Sequence, residues 1–436
     1  MFNLPKYGEG SCLARLAALL DALSVDRLVL QRRSVVVTGS NGKGSTAAFA
    51  AAIGRAGGLR TGLFTSPHLY RFNERFRIDG AEIDDDTLAE LVLRVATAIA
   101  DLARGGLTEV FGAFEAQFAL ACLYFQESDC DFAVFEAGIG GRYDPVRLVN
   151  ATVTCVTSVD YEHVQLLGNT LELIASDKSD ACAAGGTIIY GENCRPLKRH
   201  LAEYNRPRDV TGVFVRDDIG IDNETMQASG QQFDLQLFGQ AFEGLAMHVL
   251  GDFQFNNAAI AAALFMRWAR HRYADVAIEA ALRDGLRTTR WPGRLEVVQD
   301  EPLTVIDVGH TPDGVAQALS SLRAIHGERG WLLVLGVSGD KNVDEIAHHL
   351  APAFDTIICT RAYHKGADAR VVGAAARKAN AAAKIHVANA IEDAVRVSRK
   401  LARDDTQKIY VAGGLFVAIE YATVLRGGDA KALQFF

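Results

Sequence analysis

One stretch decides how this chain folds: Ser34–Thr46, which reads SVVVTGSNGKGST. A run of β-branched residues ends in glycines, and a lysine, two hydroxyl residues and the alanine-rich segment from Ala47 to Ala56 follow. This order predicts a strand, a glycine-rich loop and the start of a helix. Glycines let backbone N–H groups close around phosphate oxygens, and the free N–H groups at a helix start favour the same negative charge. The stretch therefore predicts a nucleotide-binding loop.

Side chains of this loop indicate how a nucleotide would be held. Lys43 supplies a positive charge for the β- and γ-phosphates, and Ser45 or Thr46 supplies a hydroxyl for a phosphate or its Mg²⁺. The spacing departs from the standard G-x-x-x-x-G-K-[ST] pattern, because Val37 occupies the first glycine position and Gly44 follows the lysine. A glycine-rich turn alone is usually structural, but the strand before it and the lysine and hydroxyls after it favour nucleotide binding. The predicted binding residues of the loop are Gly39, Asn41, Gly42, Lys43, Gly44, Ser45 and Thr46.

Size and composition limit the classes of protein to which the chain can belong. Its 436 residues are enough for two or three domains, and 49% apolar with 22% charged residues is ordinary for a globular protein. The net charge of −8 argues against broad binding to nucleic acid or to anionic membranes. Seven scattered cysteines without a C-x-x-C pair indicate buried thiols in a reducing compartment. With no long apolar segment and no apolar signal core, we expect a cytoplasmic monomer or weak oligomer that acts on small molecules.

Alternating strand and helix patterns predict an α/β fold. Helical spacing of leucines over residues 11–28 predicts one amphipathic helix before the first strand. Apolar/polar alternation within residues 207–250, together with the apolar run Val213–Val215, predicts a small antiparallel β insertion. A helix is predicted over Asn256–His271. Strands are also predicted at residues 60–66, 131–136, 151–159, 186–190, 303–307, 331–336, 356–360, 384–387 and 409–412.

The Trp291–Arg294 segment interrupts this alternation, which then restarts. Strands that alternate with helices form parallel, doubly wound sheets. We therefore expect two doubly wound α/β domains. Residues 1–291 are expected to form a P-loop ATPase-like domain that carries the small β insertion, and residues 292–436 a Rossmann-like domain.

Polar residues follow several predicted strands, and ligands of open α/β sheets bind at those strand ends. Besides the phosphate loop they are Ser66–His68, Glu136 and His163. A carboxylate, an imidazole and hydroxyls that converge on a triphosphate can complete a Mg²⁺ shell, since Mg²⁺ takes few protein ligands plus waters and phosphate oxygens. Singly, Glu136 is explained as a capping or ion-paired carboxylate and His163 as a surface histidine. Their combination with a phosphate loop favours a functional site.

The second half of the chain offers further candidates. Asp307 ends a predicted strand, where a carboxylate can bind a ribose hydroxyl, and His310 follows it. Arg294 lies at the expected boundary, from which it can reach a phosphate across a cleft. Lys178 lies in a predicted helix, and by position alone it is a solvated lysine.

In collinear order, the motifs of this chain resemble those of the folylpolyglutamate synthase/dihydrofolate synthase family, within the Mur ligase superfamily. The resemblance covers essentially the whole chain. Its most specific part is Thr65–His68, TSPH, followed by Arg71–Arg75, RFNER. The other matching motifs are Val37–Thr46, Phe114-Glu115, Phe135–Asp144, His163–Gly168, Asp177-Lys178, Gln254 with Asn257-Ala258, Pro292–Arg294, Asp307–Pro312 and Asp340-Lys341.

This resemblance implies an ATP- and Mg²⁺-dependent ligase that joins L-glutamate to a folate-type carboxylate through an acyl phosphate. It implies catalytic roles for Lys43, Lys178 and His163, and Lys178 matches a lysine that is carbamylated in the family. The implied metal ligands are Ser66, Glu136 and His163. The implied ATP-binding residues outside the phosphate loop are Asn257, Arg294, Asp307 and His310.

Departures from the family pattern fall in four motifs. The chain has Glu162-His163 for Asp-His, Asp144–Arg147 (DPVR) for Asp-Ala-Thr-Asn, Phe253-Gln254 for His-Gln, and Thr311 for an asparagine before Pro312. Several of these positions border the expected place of the acceptor acid. Two other functions therefore stay open: an amide ligase for a non-folate acid, and a nucleotide-binding protein without turnover.

Overall fold

The β-branched run before the glycine-rich loop forms a central strand in the computed structural model, which describes residues 4, 5, 8, 10, 12–270, 278–404 and 406–435. The chain forms two large sheets and, between them in sequence, one small sheet. The strands are β1 Ser34–Thr38, β2 Thr61–Phe64, β3 Phe76–Ile78, β4 Ala81–Glu82, β5 Phe132–Glu136, β6 Val153–Val156, β7 Thr187–Tyr190, β8 Thr211–Phe214, β9 Ile219–Gln227, β10 Gly230–Leu237, β11 Gln240–Met247, β12 Glu296–Gln299, β13 Thr304–Ile306, β14 Trp331–Leu335, β15 Thr356–Thr360, β16 Lys384–Ala388 and β17 Lys408–Ala412.

Helices lie between most of the successive parallel strands of the two large sheets. The helices are α1 Leu13–Ala22, α2 Arg27–Arg33, α3 Lys43–Ala56, α4 Asp85–Arg104, α5 Ala113–Glu127, α6 Val164–Leu167, α7 Leu171–Ser179, α8 Lys198–Asn205, α9 Phe253–Ala269, α10 Ile278–Thr288, α11 Pro312–His326, α12 Val343–Leu350, α13 Ala369–Ala379, α14 Ile391–Asp404 and α15 Leu415–Leu425. No helix in the described ranges is long and apolar enough to cross a membrane.

The first sheet has eight strands in the order β4-β3-β2-β5-β1-β6-β7-β8. The six strands from β2 to β8 in this order are parallel, and the β3–β4 hairpin adds two antiparallel strands at one edge. From β1 the chain passes to β2 on one side, and it later returns to β6 on the other. Ligands of doubly wound sheets bind at such a change of direction. The glycine-rich loop leaves β1 at this point.

Strand β1 is buried on both faces, which explains its unbroken apolar sequence. Val35 and Val37 pack into a core with α3, α9 and α10, whereas Val36 packs into a second core with α1 and α5. Alternate side chains of a strand point to opposite faces, so one short run joins both cores. The phosphate loop is therefore anchored on the most buried strand of its sheet.

The second sheet has six strands in the order β12-β13-β17-β14-β15-β16. All neighbours are parallel except β12, which pairs antiparallel with β13. The predicted fold class, α/β with two doubly wound parts and a small β insertion, is confirmed. The antiparallel edge strand β12 and helix α15 are additions to the predicted elements.

The prediction of one helix over residues 11–28 is wrong. Helix α1 ends before Ser24, which takes a positive φ of 58°. Asp26 then caps a second helix, α2, by accepting hydrogen bonds from the backbone N–H groups of Leu28 and Val29. The leucine spacing continues across two helices, and Leu28 itself is exposed.

The position predicted for Val213–Val215 is also wrong. Val213 and Phe214 belong to β8, which pairs in parallel with β7 at the edge of the first large sheet. The antiparallel insertion is the separate three-stranded sheet of β9, β10 and β11. The helix predicted over Asn256–His271 is α9, which ends at Ala269, and His271 lies outside the described residues.

Candidate functional site

A cavity of about 1480 Å³ opens at the end of β1 and is lined by residues of both halves of the chain. Gly39, Thr46 and Lys178 are not part of its wall. The other predicted site residues line it: Asn41, Gly42, Lys43, Gly44, Ser45, Ser66, Glu136, His163, Asn257, Arg294, Asp307 and His310. Residues that are distant in sequence thus face one space.

Two positions of the phosphate loop, Gly39 and Gly42, require glycine because of their backbone angles and because neighbouring side chains leave no room for a Cβ. Gly39 and Gly42 have φ values of 141° and 85°, which side chains rarely adopt. A Cβ at Gly39 would meet the hydroxyl of Thr157, and one at Gly42 would meet the side-chain oxygen of Asn257. The loop is therefore held tightly between β6 and α9.

Lys43 is the first residue of α3, and its Nζ donates hydrogen bonds to the carbonyl oxygens of Gly39 at 2.8 Å and Ser40 at 3.1 Å. An ammonium has three donors, so one remains for a ligand. Ser45 lies in the cavity wall, whereas the Thr46 hydroxyl is buried and has no hydrogen-bond partner among the described residues. Of the two hydroxyls that the sequence left open, Ser45 is the one that reaches the cavity.

Glu136 ends β5, directly beside β1, and its side chain is almost fully buried in the cavity wall. Its Oε2 accepts a hydrogen bond from the backbone N–H of Ser66 at 3.0 Å. Burial raises the pKa of Glu136 to about 7, although Lys43, this N–H group and Arg294 oppose the rise. The structure therefore places a carboxylate, a serine and a lysine at adjacent strand ends, as the sequence predicted.

Lys178 is buried in α7 and forms an ion pair with Glu162, with 2.6 Å between Nζ and Oε1. Burial alone would raise the pKa of Glu162, but Lys43 and Lys178 outweigh it and hold that pKa well below its usual range. Burial lowers the pKa of Lys178, and Glu162 opposes this shift. Glu162 is therefore a carboxylate at neutral pH, and it accepts the contact from Lys178. The interpretation of Lys178 as a solvated lysine is wrong.

His163 follows Glu162 and caps α6 with a positive φ of 44°. Its ring is exposed to the cavity. Partial burial lowers its pKa, and Lys341 and Lys43 add to this effect while Glu162 opposes it. The imidazole is therefore neutral at neutral pH.

In the second half, Asp307 follows β13 and uses both carboxylate oxygens to organise the backbone around the cavity. They accept from the N–H groups of Gly309 at 2.7 Å and Leu295 at 3.1 Å, and burial raises the pKa of Asp307. Enclosure by both halves, together with the nearby cations Lys341 and Arg294, lowers the pKa of His310, although cavity solvent still reaches its ring.

A side-chain hydrogen bond joins the phosphate loop to the second half. Thr311 caps α11, where its Oγ1 accepts from the N–H of Gly314 and donates to Oδ1 of Asn41 at 3.2 Å. Thr311 is one of the positions that depart from the family pattern. The departure therefore lies at a contact between the two halves.

His68, the last residue of the Ser66–His68 cluster at a predicted strand end, does not line the cavity. Its Nδ1 accepts from Arg75 at 2.8 Å, and its Nε2 lies 2.5 Å from the carbonyl oxygen of Gln434. Burial, followed by the charge of Arg75, lowers its pKa to about 4, which fits a neutral ring that accepts on one nitrogen and donates on the other. His68 connects Arg75 to the C-terminal segment.

A second part of the cavity wall was not predicted as a site. It is centred on α5, and the Arg15–Glu115 ion pair, at 2.6 Å, is buried in it. Glu115 and Arg75 belong to the motifs Phe114-Glu115 and Arg71–Arg75, for which the sequence predicted no role. Arg15 lies in a segment whose sequence shows only helical spacing. We call this surface the α5 wall, and it consists of Arg15, Phe72, Arg75, Phe114, Glu115 and Gln117.

Comparison with known proteins identifies the family to which this chain belongs. Residues 37–265 match the Mur ligase middle domain, and residues 293–414 match the glutamate ligase domain of Mur ligases. The chain is 31% identical to folylpolyglutamate synthase of Lacticaseibacillus casei over 81% of this chain and 82% of that protein. The chain belongs to the folylpolyglutamate synthase family of Mur ligases. It is therefore an ATP-dependent ligase.

Solved structures agree with this membership. Folylpolyglutamate synthase of Mycobacterium tuberculosis complexed with ADP superposes with a TM-score of 0.87 and 26% identity, over 97% of this ligase and 96% of that chain. An FPGS–AMPPCP–folate complex superposes with a TM-score of 0.85 and 28% identity, over 97% of both chains. The resemblance stated from the motifs is confirmed.

Proposed function

We propose that this Mur ligase joins L-glutamate to a folate-type carboxylic acid while ATP is converted to ADP and phosphate. The observation that carries the proposal is one cavity that brings the phosphate loop, Glu136 and Arg294 together with the α5 wall. The names of the similar proteins, which include a complex with an ATP analogue and folate, support the substrate class.

In this proposal the phosphate loop binds the ATP phosphates. Lys43, Gly44 and Ser45 at the start of α3 line the cavity, where their backbone N–H groups and the remaining donor of Lys43 would favour anionic oxygens. Asn257 supports the loop from α9. Arg294, Asp307 and His310 contribute from the second half, with Arg294 as the cation that faces the phosphates.

The residues present fit a Mg²⁺ ion that is completed by substrate oxygens. Among the described residues no group of three His, Cys, Asp or Glu side chains can hold a metal. Glu136 and the hydroxyls of Ser66 and Ser45 offer the oxygen ligands that Mg²⁺ prefers, whereas His163 offers a nitrogen and fits an outer position better. When bound, Mg²⁺ would neutralise charge on the transferring phosphoryl group.

The proposed reaction has two steps. An oxygen of the acid's carboxylate attacks the γ-phosphorus, the bond from that phosphorus to the β–γ bridging oxygen breaks, and ADP leaves. The neutral amine of glutamate then attacks the acyl carbon, and the bond from that carbon to the phosphate oxygen breaks. Phosphate leaves, and the nitrogen releases one proton to solvent and keeps the other as the amide N–H. Lys43 stabilises the negative charge that spreads over the transferred group, so catalysis depends on positioning and electrostatics. Enclosure between the two halves protects the acyl phosphate from water.

The resemblance also implies that Lys178 is carbamylated, and its ion pair with Glu162 does not fit that group. A carbamate is negative and would face the carboxylate of Glu162. The proposed reaction therefore does not use a carbamate at Lys178. We expect Lys178→Ala to lose activity, because Glu162 then lacks its partner. Restoration by short alkylamines would indicate the ammonium, whereas restoration by short carboxylates, with a carbamate signal after ¹³C-bicarbonate labelling, would indicate the carbamate.

ADP formation tests the proposed function. Purified ligase is mixed with ATP, Mg²⁺, L-glutamate and either dihydropteroate or tetrahydrofolate, and we expect ADP release that depends on both the acid and glutamate. The Lys43→Ala variant is the control for contaminating ATPases. Release with other acids only would favour a non-folate amide ligase. Tight ATP binding without release for any acid would favour a nucleotide-binding protein without turnover.

We also propose that the chain divides into domains of residues 1–291 and 292–436 and acts in the cytoplasm as a monomer or weak oligomer without nucleic acid. The two large sheets lie on either side of the Trp291–Arg294 loop in sequence, which supports the division. Limited proteolysis should cut near this loop, and light scattering should give the mass of a monomer. Cleavage throughout both halves would contradict the division.

A further inference from the structure

Three lysine or arginine side chains are buried in the described part of the chain: Arg15, Arg75 and Lys178. Arg15 pairs with Glu115 at 2.6 Å, and Lys178 pairs with Glu162 at 2.6 Å. Arg75, which is only 5% exposed, has no carboxylate within ion-pair distance among the described residues. A buried charge without a partner is costly, so two of these cations follow the usual rule and Arg75 departs from it.

The neighbours of Arg75 are neutral acceptors. Its Nε donates to His68 at 2.8 Å, one terminal nitrogen donates to Oε1 of Gln117 at 2.8 Å, and the other lies 3.4 Å from the carbonyl oxygen of Phe435. The adjacent carboxylate of Glu74 is used by the backbone N–H groups of residues 69–71. A guanidinium has five N–H donors, so two of those of Arg75 remain.

Arg75 also lies in the cavity wall, beside an apolar surface and near the phosphate loop. Its guanidinium carbon is 5.4 Å from the ring centre of Phe72, and Phe114 lines the same cavity. Arg75 and Glu136 are close enough that each charge shifts the pKa of the other. Burial lowers the pKa of Arg75 to about 10, so it stays protonated at neutral pH. A ligand at Arg75 is therefore beside the place where phosphate is transferred.

We propose that Arg75 binds the carboxylate of the acceptor acid and selects an acid over its neutral analogues. This inference rests on the proposed function and specifies which group of the acid is recognised. The planar guanidinium suits a carboxylate, and the ion pair would form only when the acid enters. Arg75 would also offset the repulsion between that carboxylate and Glu136. The adjacent Phe72 and Phe114 fit an aryl group next to the acid.

Binding of a matched pair of probes tests this role. The probes are dihydropteroate and its primary carboxamide, which differ only at the carboxylate, and calorimetry measures the binding of both to the 436-residue ligase. We expect the wild type to bind the acid with an affinity about 10- to 100-fold higher than the amide, because a hydrogen bond to a charged group usually contributes a factor of this size. We expect Arg75→Gln to lose most of this preference while its affinity for the amide stays unchanged.

Two further variants separate recognition from a structural role. Gln117→Glu places a protein carboxylate next to Arg75, so we expect a higher melting temperature for the ligand-free protein together with acid binding about 10-fold weaker and amide binding unchanged. Arg71→Gln is the matched control, because Arg71 belongs to the same loop but is exposed and pairs with Asp85. It should leave the preference intact.

The outcomes distinguish this inference from the proposed function. A folded Arg75→Gln or Gln117→Glu protein that keeps the full acid preference overturns the role of Arg75, while ADP formation by the wild type still stands. Equal loss of acid and amide binding in these variants also overturns it, since that result indicates a structural arginine. A wild type that binds neither probe and forms no ADP overturns both.

Discussion

The two sides of the cavity are built in different ways. At the phosphate loop, backbone groups from one continuous stretch supply the binding surface, and Lys43 is held by the carbonyl groups of its own loop. At the α5 wall, side chains from three separate segments supply the surface, and they hold one another through contacts such as Arg15–Glu115 and Arg75–Gln117.

This difference predicts where stability and turnover reside. A surface made of backbone can lose a ligand-binding side chain without losing its shape. A surface made of interlocked buried side chains loses stability when one member is removed, because its partner is left without compensation. Four substitutions test this contrast.

The largest effect is expected at the α5 wall. Glu115→Ala leaves Arg15 as a buried cation without its carboxylate, and we expect a loss of about 3–5 kcal/mol in the free energy of unfolding. Urea denaturation measures this loss. Glu90→Ala, which removes a surface partner of Arg94, is the control and should cost less than about 1 kcal/mol. Equal small losses at both positions would contradict the contrast.

At the phosphate loop we expect a change of similar size in the activation free energy of turnover, and none in the free energy of unfolding. Lys43→Ala should slow ADP formation by about 100- to 1,000-fold, since it removes a preorganised cation from the transferred phosphoryl group. The melting temperature of the ligand-free protein should be unchanged. Arg55→Ala, in the last turn of the same helix, is the control for helix stability. A large loss of melting temperature in Lys43→Ala would show that Lys43 supports the fold.

Replacing Glu136 should have the opposite effect on stability from replacing Glu115: we expect the free energy of unfolding to increase. Its pKa is about 7 in the folded protein and near 4.5 when unfolded, so the folded state binds more protons between these values and stability falls as the pH rises through this window. Glu136→Gln removes this dependence and should stabilise the ligand-free protein above pH 7 by up to about 3 kcal/mol. Thermal unfolding from pH 4 to 8 measures the difference. We expect its turnover to be lost, and a variant less stable than the wild type at pH 8 would refute the pKa shift.

The smallest effect is expected where the two halves meet. Thr311→Val removes the hydrogen bond to Asn41 and the cap of α11, which together are worth about 1–2 kcal/mol. We expect a rise of a few fold in the KM for ATP and a small loss of stability. Thr311→Ser retains the hydroxyl and should behave as the wild type. An unchanged KM in Thr311→Val would show that this contact does not couple the halves.

Local patterns predicted much of the fold and most of the residues on the glycine-rich-loop side of the cavity. The order of strand, glycines and lysine at residues 34–46 specified both the central strand and the phosphate loop, because backbone geometry there depends on adjacent residues. The same patterns missed the break at Ser24 and placed Val213–Val215 in the wrong sheet. Helical spacing continues across a capped turn, and a short apolar run does not indicate its partner strand.

By itself, the sequence determined the two α/β halves, the phosphate loop and the carboxylates at the strand ends, since each depends on spacing along the chain. Only the tertiary structure decided that Glu162 pairs with Lys178 and that His68 faces the C-terminal segment. It also decided that Arg75 is buried with no carboxylate of the described residues within ion-pair distance. These facts depend on side chains from distant segments that meet in a low-dielectric interior. There the identity of the nearest partner, and not the position in the chain, sets the charge and role of each group.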